Sequence, residues 1–255
     1  MLRLIYIALA GSGTIYLAVC AAMFAFQRSL LYYPQPRMVT APESTMRVRV
    51  PGSQLMVTVR PHAGSKAIIY FGGNAEDVSA NLESFSRAFP EYALYLLHYR
   101  GYGGSSGSPS EAANHGDALA LFQEVHAQRP DIAVIGRSLG SGIAIRLASE
   151  APVSRLLLVT PYNSLEEIAA ALYPYLPVRW LLLDRYESWR YAPRIRIPTT
   201  IVAAEDDEVI PRASTEKLFA RFPAGIASMT VIEGVGHNDI GTASAYLTTL
   251  QAALR

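Results

Sequence analysis

One cysteine, Cys20, in 255 residues leaves no partner for an internal disulfide. The chain has no Cys-x-x-Cys, no His-Glu-x-x-His and no His-x-His, so the spacing that builds a dedicated zinc site is missing, and no metal is expected. Charge of one sign is also missing. The 22 Lys and Arg stand against 21 Asp and Glu, a net charge of +1 that provides no field to hold phosphate backbones, so no nucleic-acid partner is expected. No Gly-x-Gly-x-x-Gly follows the first expected parallel strand and no Gly-x-x-x-x-Gly-Lys-Ser/Thr loop occurs, which removes both nucleotide-binding readings and leaves no cofactor expected.

What the chain has instead begins with a long apolar run. Leu4 to Phe26 carries no charged residue, and about 20 such residues in helical form cross a hydrocarbon core about 30 Å thick. Gly11, Ser12 and Gly13 are tolerated in such a span, and Tyr6, Tyr32 and Tyr33 suit its interfaces. A cleaved signal has a shorter apolar core, about 7–15 residues, and a small-x-small site. The expectation is an uncleaved single-pass anchor over residues 1–30. Arg3 and the α-amino group precede the span and Arg28 and Arg37 follow it; this near-balance leans toward an extracytoplasmic catalytic domain. Residues 31–44, with Pro34, Pro36 and Pro42, read as an extended linker. The folded domain is expected over 45–255.

Met46 to Val50 and Gln54 to Arg60 alternate around Pro51-Gly52 as an antiparallel hairpin at the sheet edge. Ala67 to Phe71, Ala93 to Leu97, Ile132 to Ile135 and Leu156 to Val159 read as buried parallel strands, and Thr199 to Ala203 and Ser228 to Ile232 extend the sheet. Helical stretches at Glu76 to Ala88, Glu111 to Gln128, Ser141 to Ser149, Ala213 to Arg221 and Ile240 to Leu250 alternate with them. This order predicts an α/β fold with a mostly parallel, doubly wound sheet. Leu165 to Ile197, with Tyr173, Tyr175, Trp180, Tyr186 and Trp189, breaks the rhythm and is expected to be a small helical insertion above the strand ends, where ligands of such sheets bind.

Between the strand at Ile132 and a helix lies Gly136-Arg137-Ser138-Leu139-Gly140. Strand, Gly-x-Ser-x-Gly, helix is the context of a nucleophile elbow, in which the glycines permit a turn tight enough to project Ser138 at a helix N-terminus. Ser141, one turn on, reads as packing or capping.

From Leu30 onward the chain resembles the membrane-anchored α/β-hydrolase-domain group of serine hydrolases, whose relatives include lysophospholipases, esterases and protein depalmitoylases. Phe71 to Ala75, Tyr99 to Gly107, the elbow, Glu205 to Pro211 and Gly236 to Asp239 carry the likeness, in the family's order. The resemblance implies the α/β-hydrolase fold and a catalytic triad in the order Ser, acid, His. Its base is His237, in the loop after the last expected strand. Its acid is Asp207, which starts the family's Asp-x-x-Val/Ile-Pro pattern, with Asp206 as runner-up and Asp184 and Asp239 ranking lower. The oxyanion hole it implies takes the backbone N–H of Leu139 and, by alignment of Gly73-Asn74-Ala75, that of Asn74; Gly72 stands where relatives carry His. Tyr99 to Gly107 reads as a supporting loop.

A serine at neutral pH needs an imidazole to take its proton and a carboxylate to orient that imidazole. The expected function is therefore hydrolysis of an ester or thioester through an acyl-serine, on a small-molecule or lipid-like substrate, with the membrane as the other partner. Acyl transfer through the same triad and a non-catalytic ligand-binding role are the alternatives. A chain shortened to begin near Tyr33 is expected to keep its rate on a short soluble ester and to lose rate on long-chain substrate in vesicles, because tethering raises effective concentration.

Overall fold

The computed structural model describes residues 1–255, the side chain of Ala8 excepted. A long helix α1 (Leu2–Leu31) leads to the hairpin strands β1 (Thr45–Val50) and β2 (Ser53–Arg60), then β3 (Lys66–Phe71), α2 (Leu82–Ala88), β4 (Ala93–Leu97), α3 (Glu111–His126), β5 (Asp131–Arg137), α4 (Leu139–Glu150) and β6 (Arg155–Val159). Three short helices fill the insertion, α5 (Leu165–Leu172), α6 (Val178–Leu181) and α7 (Ser188–Tyr191); β7 (Thr199–Ala204), α8 (Arg212–Phe219), β8 (Ala227–Ile232) and α9 (Ser244–Ala253) complete the chain.

The eight strands form one sheet in the order β1-β2-β4-β3-β5-β6-β7-β8. β1 and β2 pair antiparallel, β2 joins β4 antiparallel, and every pairing from β4 to β8 is parallel. Central β5 buries every residue from Ile132 to Gly136. A strand covered by helices on both faces needs apolar side chains on both. One face packs under α3 and α4 through Leu121, Phe122, Ile143 and Leu147, the other under α2 and α9 through Phe85, Tyr246 and Leu250.

The expected helix Glu76 to Ala88 starts later than its pattern implied. Val78–Asn81 form a 3-10 turn before α2, capped by Asp77 accepting from Ser79 N–H, and Glu76 stands ahead of both, its carboxylate turned back to Gly73 N–H at 2.6 Å. Asp239 precedes the turn at Ile240 without a side-chain cap bond, and its Oδ1 accepts from Gly236 N–H.

Helix α1 is long and apolar enough to cross a membrane, and most of it is exposed. Among the described residues of the helix only Cys20, Met23, Gln27 and Leu31 are covered, positions three or four apart that form one stripe toward the insertion. The segment after it does not stand off as a linker. Tyr32 is buried, its hydroxyl 3.2 Å from Asp184 Oδ2 and 2.9 Å from Tyr186 Oη. Gly103 N–H donates to Gln35 O, and Met38 N–H donates to Asp77 Oδ2. Prolines preclude helix here, but extended backbone still has donors and acceptors to satisfy, and the body supplies them.

Candidate active site

Ser138 sits between β5 and α4 with φ 48°, a left-handed backbone at a non-glycine residue. The flanking glycines make that turn possible. A Cβ at Gly136 would fall 2.5 Å from Gly140 O, and one at Gly140 would overlap the carbonyl of Phe71 at the end of β3. Strain of this kind persists only where surrounding structure imposes it. Ser141, fully buried, supplies part of that support by donating its hydroxyl to Ser138 O at 2.6 Å.

His237, from the loop after β8, places Nε2 2.9 Å from Ser138 Oγ. Its Nδ1 lies 3.0 Å from both oxygens of Asp207, in the loop after β7. Asp207 is itself fixed, since Oδ1 accepts from Val209 N–H at 3.0 Å and Ile210 N–H at 2.6 Å. Both side chains of this pair are buried, which strengthens their attraction and keeps water from competing for the bond. With Asp207 accepting at Nδ1–H, the lone pair of Nε2 faces the serine hydroxyl, the arrangement required to remove its proton. Asp206 does not reach the imidazole; its backbone N–H donates to Val235 O. Asp184 is buried in the insertion against Arg28 and Tyr32.

Gly73 abuts Ser138, a Cβ there falling 3.6 Å from Ser138 Cβ. Asn74 follows it, and neither its N–H nor that of Leu139 donates to another group among the described residues. Side chains from neighbouring segments brace this loop. Tyr99 donates its hydroxyl to Gly72 O at 2.7 Å, and Tyr102 donates to Asn74 Oδ1 at 2.8 Å. Asn74 Nδ2 donates to Leu31 O at 2.5 Å, and Asn74 Oδ1 accepts from Tyr33 N–H at 3.1 Å. The loop that holds Gly73 and Asn74 is thus tied to the end of α1.

Two charged groups escaped the sequence reading. Arg137, the variable residue of the elbow, pairs with Glu76 Oε2 at 3.4 Å and donates to the carbonyls of His237 and Asn238 at 3.3 Å, joining three loops. Glu208 accepts from His237 N–H at 3.0 Å, and that backbone hydrogen bond holds its carboxyl below the usual range. Their signal in the sequence was adjacency alone: each neighbours a residue already singled out. Among the described residues no cluster of three or more His, Cys, Asp or Glu is placed to hold a metal ion.

A single parallel-dominated sheet with a serine at the tip of its central strand and an imidazole and carboxylate at the ends of later strands defines an α/β hydrolase, and the chain belongs to that family. The alpha/beta hydrolase fold model matches residues 66–184. An uncharacterized protein of Mycobacterium tuberculosis is 32% identical over 251 residues, covering 91% of this chain and 86% of its own length. Lysophosphatidylserine lipase ABHD12 of Danio rerio is 34% identical over 149 residues, 50% of this chain and 39% of that protein. Among solved structures, the Pyrococcus furiosus esterase Pf2001 superposes with a TM-score of 0.70 at 17% identity, covering 87% of this chain and 98% of that one.

Proposed function

We propose that the protein is a serine hydrolase, held at a membrane by α1, that cleaves an ester or thioester of a lipid-like acyl substrate. The observation that carries this reading is the unbroken relay from Ser138 Oγ through His237 to Asp207, with contacts of 2.9 and 3.0 Å. Ser138 Oγ attacks the acyl carbon while His237 Nε2 takes its proton. Negative charge on the former carbonyl oxygen is met by the N–H groups of Leu139 and Asn74. Collapse of this intermediate breaks the bond to the alcohol or thiol, which leaves with the proton from His237, and acyl-Ser138 remains. Water then attacks the acyl carbon, gives its proton to His237, and the acid departs as Ser138 Oγ recovers it.

The lipid-like substrate is supported by α1 and by the lipase similar to half of this chain. The test is labelling of the full chain by a fluorophosphonate probe, which only an activated serine attacks quickly. Wild-type protein is expected to label and Ser138→Ala not to; label retained in Ser138→Ala removes the assignment.

A further inference from the structure

A cavity of about 280 Å³ lies between α1 and the insertion, walled by Met23, Leu30 and Leu31 on one side and Ile168, Leu176 and Leu181 on the other. Its volume is near the low end of small-ligand sites, about 300 Å³. Gln27 also lines it but offers nothing polar to an occupant: Nε2 donates to Phe24 O and Leu181 O, and Oε1 accepts from Leu183 N–H. The side nearest the domain is Leu31 and Tyr33, whose backbones bond Asn74, and Asn74 follows the glycine that abuts Ser138. One end of the cavity, at Leu31 and Tyr33, is therefore joined through Asn74 to the loop beside Ser138.

The insertion reaches far along that helix. Tyr16 Oη donates to Tyr175 O at 2.9 Å. At about 1.5 Å per residue, the stretch of helix from Tyr16 to Arg3, the charge that bounds the apolar run, is only about 20 Å long, roughly 10 Å short of a hydrocarbon core. A spanning α1 must therefore bring the tip of the insertion into the bilayer by about that depth, the depth to which interfacial helices settle, about 5–10 Å. The tip has the surface for it. Leu172, Tyr173, Tyr175, Trp180 and Leu183 are exposed, Tyr175 and Trp180 by 88% and 85%, and Leu172 to Leu183 contains no acidic residue and a single charge, Arg179. Aromatic rings of this kind favour the membrane interface.

We infer that Leu172 to Leu183 sits in the leaflet beside α1, and that the cavity between them takes up the single acyl tail of a bilayer lipid, bringing its carbonyl to Ser138. This rests on the reading of the chain as a membrane-anchored acyl hydrolase. The helix is then a wall of the substrate site as well as a tether.

Two measurements on the full chain in phosphatidylcholine vesicles test it, and neither needs turnover. In Trp189→Phe, Trp180 is the only tryptophan, and lipids brominated near the top of the acyl chain should quench its emission; an unquenched Trp180 overturns the placement of the insertion. In Ser138→Ala, a lysophosphatidylcholine with a photoreactive tail should cross-link to Ile168–Leu182. Adding Ala169→Phe fills space that two methylenes would occupy, each worth about fourfold in affinity, so cross-linking should fall about fifteenfold. Cross-links absent from the insertion, or unchanged by Ala169→Phe, overturn the cavity's role. A wild-type chain that takes up the tail yet hydrolyses no ester would refute the proposed reaction alone.

Discussion

Replacing Asn74 by Ala leaves the backbone N–H proposed to meet the oxyanion but strips away what positions it. The side chain donates to Leu31 O at 2.5 Å and accepts from Tyr102 Oη at 2.8 Å and Tyr33 N–H at 3.1 Å. At a net worth of about 1 kcal/mol per hydrogen bond, the loop loses roughly 3 kcal/mol of support. Deleting an oxyanion donor outright costs a factor of about 100–1,000, and displacing a catalytic group by 1 Å costs up to about 100-fold. Asn74→Ala should therefore lower kcat on a short soluble ester by about 10–100-fold, with KM changed by less than about threefold because a donor acting on the transition state is the part disturbed. Tyr102→Phe, which keeps the Leu31 bond, should fall between this variant and wild type. The assay is hydrolysis of a chromogenic acetyl ester by the full chain in detergent, at a temperature where a thermal melt shows each variant folded. A kcat for folded Asn74→Ala within about twofold of wild type would refute the claim that the end of α1 positions the oxyanion-side loop.

The same contacts change the expectation for a chain beginning at Tyr33: without the Leu31 carbonyl and buried Tyr32, its rate should fall about tenfold or more even on the soluble ester, and a rate equal to wild type would show that the anchor only tethers. Asp207→Asn should reduce kcat by up to about 10,000-fold, since the amide favours the wrong His237 tautomer, whereas Asp206→Asn should stay within about tenfold; equal losses leave the acid unassigned. Buried His98, whose Nε2 lies 2.9 Å from Thr58 Oγ1, has its pKa pushed down by burial from 6.5 to about 4. The unfolded chain binds the extra proton between those values, so this stability is complete above about pH 6.5 and is lost as pH falls toward 4, by about 3 kcal/mol. Denaturant midpoints at pH 7 and 4.5 should show a smaller drop for a folded His98→Gln than for wild type; parallel drops would exclude His98 as the group responsible.

Local properties were legible in the chain itself. Alternation between Met46 and Arg60 and the apolar runs of β3 to β7 reflect the period of a strand and the burial of both sheet faces, so order and type of element followed from sequence. The elbow around Ser138 was equally legible, because a left-handed turn between strand and helix needs glycines at fixed places. Long-range contacts were not. Which of four consecutive acidic residues meets His237 depends on how the loop after β7 folds, and Val209 and Ile210 turn Asp207 inward while Glu208 bonds the histidine's backbone. Arg137 and Glu76 meet across 61 positions, and Tyr33 and Asn74 across 41. Prolines after α1 read as a detached linker because they forbid helix, a local effect, whereas the docking of Tyr32, Gln35 and Met38 depends on donors and acceptors the body presents only once folded. Periodicity and turn chemistry act over a few residues and can be read along the chain; the partners of a buried carboxylate or a loop amide are chosen in three dimensions, by packing.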